Sequence, residues 1–513
     1  MFDRVKRQCW IPEWTLTLMA LAGAGPAIAA ETGDSRLVEA AKSQDQKAVR
    51  ALVAKNADVN VRSGDGSTAL LWSAHWNDLD TAGLLVGAGA DANAANDFRM
   101  TPVSEACTNG NAALVRLLLK SGANPNTAIA TGETPLMTCA KTGSADAVRM
   151  LLEYGAAVDA KEPTENQTAL MWAAAEHHPD AVRALIEAHA DLKAHSKQGF
   201  TALHFAARVG DLESVQSLLA AGMDVNLPTQ TESGKNRVTN QLGIAKTVGM
   251  IGYTPLLVAV VRGQVELALF LLDHGADPNI LAAGYTPLHW ASSKWESFTA
   301  NPVYGFDDPM AGVPDRQAKL HLVKALLAHG ANVNARMTQP QPTFAGGYLD
   351  AVGATPFLLA ASANDLEMMR ILLEAGADPK ILTGTYGSAI MAAAGLNHSI
   401  GEDLVTEAQA LEPVKFLLDL GVDPKGETTF GENALFGPAY RGWNQLLAQL
   451  IDLGVNVNAV SKAGVTPWLA ASGSGDRLGG VLYNKEGADL LLKHGADPKL
   501  GHPCEAQNKC RAE

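Results

Sequence analysis

A short turn rich in glycine and aspartate recurs along this chain of 513 residues, and its spacing restricts the fold more than any other feature. Early copies read "NADVN" at 56–60, "GADAN" at 89–93 and "GANPN" at 122–126. Twelve copies occur, and their third residues are Asp58, Asp91, Asn124, Ala157, Asp191, Asp224, Asp277, Asn332, Asp378, Asp423, Asn456 and Asp497. The first six lie 33 or 34 residues apart, and most later intervals are longer. A fixed period of this length predicts a stack of repeats, in which each unit buries its apolar face against its neighbours.

Each turn has a helix-capping residue upstream. Side-chain oxygens of Ser, Thr and Asn accept a free N–H of the first helical turn. Such residues stand at Ser35, Thr68, Thr101, Thr134, Thr168, Thr201, Thr254, Thr286, Thr355, Ser388, Asn433 and Thr466. Gly or Asn stands nine residues after eight of these caps, as at Asn77 and Gly110. Both residue types tolerate the left-handed conformation that ends helices. The sequence therefore predicts a short helix, a tight turn, a second helix and a glycine turn in each unit.

These residues resemble the ankyrin repeat, whose signature begins T-P-L-H-x-A and ends G-A-D-x-N. "GYTPLHWAS" at 284–292 and "HGADPN" at 274–279 match it closely, and the resemblance covers about residues 35–499. It implies an all-α repeat solenoid of about twelve stacked helix-turn-helix units with β-turn fingers. In ankyrin repeats the signature histidine links neighbouring units by hydrogen bonds, and here only His204 and His289 occupy its place.

The spacing also divides the chain. We expect one solenoid over residues 30–499, with 35–63 as its N-terminal capping unit and 500–513 as a tail. The longer intervals predict insertions near 229–249, 294–316, 338–351, 396–407 and 475–483.

The second of these insertions is unusually aromatic. It carries Trp295, Tyr304 and Phe306 in a chain with only 6% aromatic residues. Loops tolerate additions and often carry binding residues, so these rings are candidates for partner contact. The alternative is that they pack over the helix ends and keep a long loop ordered.

The N-terminus has the pattern of an export signal. Arg4 and neighbouring basic residues precede an apolar run at 16–22 that is too short to span a bilayer, and small residues ending at Ala29 suit a signal peptidase. We therefore predict a signal peptide over 1–29 and a mature protein in the periplasm or outside the cell, without membrane insertion. An uncleaved anchor is the alternative interpretation.

Cysteine usage fits an oxidising compartment. Cys504 and Cys510 lie in the C-terminal tail and are candidates for a disulfide. Cys107 and Cys139 occupy small-residue positions on consecutive helices, and we interpret each as a replacement for alanine. No C-x-x-C pair occurs, so neither a thioredoxin-like site nor a cysteine–zinc site is indicated.

The sequence offers little catalytic chemistry. H-E-x-x-H, G-x-S-x-G and the phosphate-binding G-x-x-x-x-G-K-[ST] do not occur. His177, His178 and Asp180 stand at a helix-to-helix turn without a further ligand at metal-site spacing, so we expect a solvated turn there. Two adjacent carboxylates, Asp307 and Asp308, are a weak signal for a cation. We predict no cofactor and no metal, and the net charge of −14 argues against a nucleic-acid partner.

In ankyrin proteins the binding surface is generally the concave face, made of finger tips and the ends of the first helices. By position, this face carries two sets of aromatic and arginine side chains. Those before the caps are Phe98, Phe200, Tyr253, Tyr285 and Phe430, and those ending the first helices are Trp76, Arg208, Arg262, Tyr440 and Arg441. We interpret both sets as binding anchors. The competing interpretation is that each ring packs against the next finger.

Together these features predict a monomeric, non-catalytic scaffold that binds another protein outside the cytoplasm. One alternative is an enzyme or metal-binding protein whose site is built by the inserted loops. A second alternative is an exported effector that binds host proteins through the same face.

Overall fold

A computed structural model describes residues 35–230, 237–239, 245–247, 251–293, 315–339, 352–396, 405–473 and 483–501. The chain divides into two compact units, one within residues 1–102 and one within residues 103–513. Several sequence-predicted features lie outside the described residues: most of the five insertions, the aromatic residues Trp295, Tyr304 and Phe306, and the tail cysteines Cys504 and Cys510.

The first unit contains two helix pairs. They are Arg36–Lys42 (α1) with Gln46–Val53 (α2), and Ala69–His75 (α3) with Leu79–Gly87 (α4). Helix α1 packs on α3 and α2 packs on α4, so like helices of the two repeats lie side by side. Leu37, Leu70 and Leu85 are buried between them and form the core of this unit.

The second unit contains ten further pairs. In chain order they are Pro102–Thr108 (α5), Ala112–Lys120 (α6), Pro135–Lys141 (α7), Ala145–Glu153 (α8), Ala169–Ala175 (α9), Pro179–Glu187 (α10), Ala202–Val209 (α11), Leu212–Ala220 (α12), Pro255–Val261 (α13), Val265–Asp273 (α14), Pro287–Ser292 (α15), Arg316–Ala328 (α16), Pro356–Ser362 (α17), Leu366–Glu374 (α18), Ala389–Ala393 (α19), Glu407–Asp419 (α20), Phe436–Arg441 (α21), Asn444–Asp452 (α22), Pro467–Ala471 (α23) and Lys485–Lys493 (α24). With the first unit they make twelve pairs within the described ranges. The predicted fold class, an all-helical repeat solenoid, is confirmed.

Two short strands lie inside the predicted 229–249 insertion. Arg237–Thr239 (β1) pairs antiparallel with Ala245–Thr247 (β2), and Arg237 lies opposite Thr247. This insertion therefore contains a small hairpin between α12 and α13.

The capping pattern read from the sequence starts most of the first helices. The hydroxyl of Thr68 accepts the N–H of Leu71, and that of Thr254 accepts the N–H of Leu257, both at 3.2 Å. The same contact is made by Thr134, Thr168, Thr286, Thr355, Ser388 and Thr466. Each cap satisfies an N–H that has no partner within its helix.

Asn433 is an exception to the predicted capping. Helix α21 begins at Phe436 with Leu435 as its N-cap. The Asn433 Oδ1 accepts the N–H of Leu435 at 3.1 Å, in the turn before the helix, and its amide nitrogen donates to the carbonyl of Asn456 at 2.8 Å, in the glycine turn of its own repeat.

The first helices of the second unit pack in series. Helix α11 packs on both α9 and α13, and α13 packs on both α11 and α15. All seven residues of α13 are buried as a result. None of the helices in the described ranges is long and apolar enough to cross a membrane.

Asparagines in the glycine turns link successive repeats. Asn279 donates to the carbonyl of Gly330 at 2.9 Å and accepts the N–H of Asn332 at 2.7 Å. The same two-way contact with the next turn is made by Asn60, Asn126, Asn226, Asn334 and Asn458. These amides hold the register of neighbouring turns, because each bonds both a donor and an acceptor.

The histidine link implied by the resemblance is confirmed at both positions. His204 accepts from the Thr201 hydroxyl at 2.9 Å through Nδ1 and donates through Nε2 to the carbonyls of Leu227 and Tyr253. His289 likewise reaches the carbonyls of Ala335 and Ala354. Burial lowers the pKa of each histidine to about 4, because a second proton would put a charge on a ring that water does not reach.

A disulfide joins Cys107 of α5 to Cys139 of α7, with 4.6 Å between the two Cα atoms. Our interpretation of these cysteines as alanine replacements was therefore wrong. Both are fully buried. Small residues at these sites let first helices of adjacent repeats approach closely, and two cysteines that face each other across that contact are within bonding reach.

We expect acid to destabilise the histidine links. Both histidines have a folded-state pKa below the ordinary value of 6.5, so their contribution is complete above about pH 6.5 and is lost as the pH falls towards about 4. Each contributes roughly 3 kcal/mol of pH-dependent stability at most. Urea unfolding of wild type and a His204→Gln/His289→Gln variant across this pH range would measure it. Equal pH dependence in the two proteins would contradict this assignment.

The disulfide should stabilise its own repeats. Its two ends are 32 residues apart in sequence, and closing such a loop contributes about 3–4 kcal/mol. We expect Cys107→Ala, Cys139→Ala and the double variant to lose the same amount, because any one of them breaks the bond. Hydrogen exchange of the α5–α8 amides would report the loss locally. Costs that add in the double variant would show that no bond was present.

Candidate functional site

The fingers that precede each cap and the C-terminal ends of the first helices form one surface in each unit, which we call the finger face. The sequence places its ten non-loop candidates on this face. In the described part of the chain they separate by burial into an inner set and an outer set.

Three of the inner residues, Phe200, Tyr253 and Tyr285, are buried aromatic side chains. The Phe200 ring packs 5.5 Å from Phe205, and the Tyr253 and Tyr285 hydroxyls are hydrogen-bonded to each other. Tyr285 also stacks on Trp290 at 6.0 Å and is only 2% exposed. Our expectation that these rings present contact surface is corrected, because each turns inward from its finger and packs on the first helices.

Burial also sets the ionisation of the two phenols. It raises the pKa of Tyr253 to about 12, with the hydrogen bond to Tyr285 and the charge of Arg262 opposing the rise. It raises the pKa of Tyr285 well above its ordinary value, and the contact with Tyr253 adds to the rise. Both hydroxyls therefore stay protonated at neutral pH, and the pair acts as a neutral polar link between two repeats.

The residues that end the first helices are also more enclosed than the sequence suggests. Tyr440 is buried, so it belongs to the core and not to the exposed surface. The guanidinium of Arg441 lies 4.9 Å from the ring centre of Trp443, and that of Arg208 lies 5.3 Å from that of Phe205. Burial lowers the pKa of Arg441 to about 10, which leaves it charged at neutral pH.

Trp76 is exposed on the first unit but is held in place. Its Nε1 donates to the carbonyl of Lys42 at 3.0 Å, and its ring stacks 6.3 Å from Trp72. Trp76 also lines an open groove of about 430 Å³, together with polar residues such as Gln46 and Asp78. Because this half-exposed indole is already held in place, contact with it would cost little conformational entropy.

Phe98 and Phe430 are exposed at finger tips, as the sequence predicts. Phe98 has 66% of its surface exposed, the largest fraction among the large apolar residues in the described ranges. Phe430 is exposed as well, and Lys462 lies 5.5 Å from its ring centre. Of the ten non-loop candidates, Trp76, Phe98 and Phe430 are the large apolar side chains that face solvent.

The sequence analysis missed four exposed apolar side chains on the fingers of the last four repeats. They are Val352, Leu382, Tyr386 and Val460. The sequence did mark Tyr386 as unusual, because it stands two residues before its cap, where Gly353, Gly431 and Gly464 stand in other repeats. Its φ is 63°. Arg99 and Asn166 stand at the same place in earlier repeats with a similar positive φ, so the position also admits side chains larger than glycine.

Backbone hydrogen bonds join these fingers tip to tip. Gly384 donates to Val352 at 2.7 Å, Thr429 to Thr385 at 2.9 Å, and Lys462 to Phe430 at 2.7 Å. The three bonds share one register. In each, the donor stands four residues before its own cap, and the acceptor stands three residues before the cap of the preceding repeat. The exposed side chains therefore follow one another along a continuous edge.

Other chemistry is sparse within the described ranges. No group of three histidine, cysteine, aspartate or glutamate side chains is placed there to hold a metal ion. At the turn with two histidines, His178 Nε2 lies 2.9 Å from the carbonyl of Lys141, and Asp180 pairs with Arg183. Asp307 and Asp308 lie outside the described residues.

Family models of the ankyrin repeat match much of the chain. The model described as "Ankyrin repeats (3 copies)" matches residues 15–96, 77–162 and 158–229, that described as "Ankyrin repeats (many copies)" matches 256–294, and that described as "Ankyrin repeat" matches 283–338 and 352–384. Together these ranges cover more than half of the sequence.

Several curated proteins are similar over part of their length. Protein PhlB of Serratia liquefaciens is 36% identical over 126 residues, which are 24% of this chain and 47% of that protein. Ankyrin repeat and SOCS box protein 16 of Homo sapiens is 31% identical over 313 residues, 58% of this chain and 55% of that protein. B-cell lymphoma 3 protein homolog of Mus musculus is 28% identical over 214 residues, 41% of this chain and 36% of that protein. The chain thus spans about half the length of the first two relatives.

Proposed function

Because the chain belongs to the ankyrin-repeat family, we propose that it is a non-catalytic scaffold whose finger face binds another protein. We propose further that it acts as a monomer after export to the periplasm or beyond the cell. Ankyrin repeats are in general a protein-binding architecture, and a stack of many repeats suits a large or extended partner surface.

The observation that carries this proposal is the exposure of rings on the finger face. Phe98, Tyr386 and Phe430 lie at finger tips with most or much of their surface in water. Aromatic side chains supply much of the binding energy of protein interfaces, because they bury a large area while losing little conformational entropy. Their position on fingers, held by packed helices behind them, is typical of binding loops on a rigid scaffold.

The charge of the chain favours a protein partner over nucleic acid. The net charge is −14, and a negatively charged body repels a phosphate backbone. Arg208, Arg262 and Arg441 on the finger face provide local positive charge on that acidic body, and such groups suit carboxylates of a protein.

Two independent features support export. The N-terminal 29 residues have the charged start, apolar run and small-residue end of a signal peptide. The buried Cys107–Cys139 disulfide suits an oxidising compartment, since cytosolic thiols are kept reduced.

Affinity capture from an envelope extract would test the binding face. We expect wild type to retain at least one protein that a Phe98→Ser/Tyr386→Gly/Phe430→Ser variant loses almost completely, because the variant removes the exposed rings. A Leu212→Ser/Leu453→Ser/Leu492→Ser variant is the control, since these leucines are also exposed apolar residues but lie on or beside second helices. Full retention by the finger variant, or equal loss by the control, would rule out this face.

Cell fractionation with thiol trapping would test export. We expect protein from the envelope fraction to begin at Ala30 and to resist alkylation at Cys107 and Cys139. A variant lacking residues 2–29 should stay in the cytoplasm with both thiols alkylated. An intact N-terminus on cytoplasmic wild-type protein would contradict the proposed location.

A further inference from the structure

We propose that a groove beside Trp76 in the first unit is a binding site for a neutral saccharide. The groove lies between the first two repeats, at the turns that connect α1 to α2 and α3 to α4, and its volume is about 430 Å³. Sites for small molecules generally have volumes of about 300–1,000 Å³. The inference goes beyond protein binding, which we assign to the exposed rings of the finger tips, and it concerns a different class of ligand.

One wall of the groove is an indole that stands where other repeats have smaller side chains. Trp76 lies eight residues after its cap. The next four repeats carry at that place Asn109, Thr142, Glu176 and Val209. The ring is 42% exposed, and it is held by its hydrogen bond to Lys42 and its stacking on Trp72. A fixed aromatic face suits the C–H side of a sugar ring, because the face carries partial negative charge and the C–H hydrogens are slightly positive.

Polar side chains supply hydrogen bonds along the rest of the groove. Gln44 and Gln46 contribute amides and Asp80 a carboxylate, and all three residues are exposed. Within the described residues the Gln44 side chain has no hydrogen-bond partner, so its amide is available to a ligand. An amide both donates and accepts, as a sugar hydroxyl does, so the two are complementary. The groove thus combines a flat apolar face with donors and acceptors, which are the two features that a sugar ring presents.

Charge in the groove favours a neutral ligand over an ion. The described residues that line it include no lysine, arginine or histidine, so an anion would meet no positive side chain there. Of its two carboxylates, that of Asp78 is committed to the fold, because it accepts from Gln46 at 2.8 Å and from the N–H of Thr81 at 3.0 Å. Burial alone would raise the pKa of Asp78, but these hydrogen bonds outweigh burial and hold the pKa below its ordinary value. The carboxylate of Asp80 remains, and one exposed carboxylate binds a cation weakly in water.

Isothermal titration calorimetry tests the site with three soluble probes, which are maltohexaose, cellohexaose and the hexamer of N-acetylglucosamine. They are titrated into the chain from residue 30 onward. We expect at least one probe to bind saturably, and Trp76→Ala to weaken that binding at least about tenfold, because the variant removes the stacking face. Trp76→Phe keeps an aromatic face and should bind more tightly than Trp76→Ala. The absence of saturable binding with all three probes would overturn the inference.

Gln44→Gly separates binding from folding. Gln44 has a φ of 60°, a conformation that glycine adopts without strain, so the thermal midpoint of this variant should stay close to that of wild type. Its affinity should fall about three- to tenfold, because one hydrogen-bonding amide is lost. Phe98→Ser removes an exposed ring at a finger tip of the same unit and is the control, which should keep full affinity. Equal losses in Phe98→Ser and Trp76→Ala would overturn the inference, as would unchanged affinity in Gln44→Gly and Trp76→Ala.

Other ligands of the groove give distinct results. Binding of choline that Trp76→Ala abolishes, without saccharide binding, would assign the groove to a cation and overturn the inference. Binding of inorganic phosphate with the same dependence would assign it to an anion with the same consequence. A protein captured from extract that Trp76→Ala loses, while no saccharide binds, would assign the groove to the protein interface. That result would reject this inference and leave the proposed function standing.

Discussion

The structure depends on the contact between first helices of neighbouring repeats. A helix pair of this length has too little apolar surface to fold alone, and in the second unit first helices such as α11 and α13 are covered from both sides. Helix α13 is buried at every residue because α11 and α15 lie against it. The stability of the solenoid therefore depends on every interface between neighbouring repeats. Residues outside these interfaces are free to vary.

Polar groups make these interfaces directional. An apolar contact alone would allow the repeats to slide, whereas an imidazole or amide that bonds a neighbouring repeat has partners at fixed positions. His204 and His289 bond carbonyls of the following finger, and Asn279 bonds both groups of the next turn. In repeats without the histidine, an asparagine of the glycine turn makes such a link, as at Asn126. Successive fingers are thus held at fixed positions relative to one another, so exposed side chains on neighbouring fingers lie side by side.

The same geometry explains why sequence position alone assigned some candidates wrongly. The residue just before each cap lies at the base of a finger, and its side chain turns inward at Phe200, Tyr253 and Tyr285. Residues two or three places before the cap lie at the tip, as at Phe98, Tyr386 and Phe430, and these face water. A shift of one or two residues along a finger therefore decides between core and contact surface. Cys107 and Cys139 were misjudged for a related reason, since each site was considered within its own helix and not across the interface that pairs them.

The sequence by itself determined the repeat number, the helix starts and the positions of the turns. Caps, glycines and the 33-residue period are local features, and local hydrogen bonding and backbone preference act without reference to the rest of the chain. Only the tertiary structure decided which side chains on the finger face remain exposed, which cysteines meet, and which finger tips form a continuous edge. Each of these is a relation between repeats, and it depends on how closely and at what height one repeat packs on the next.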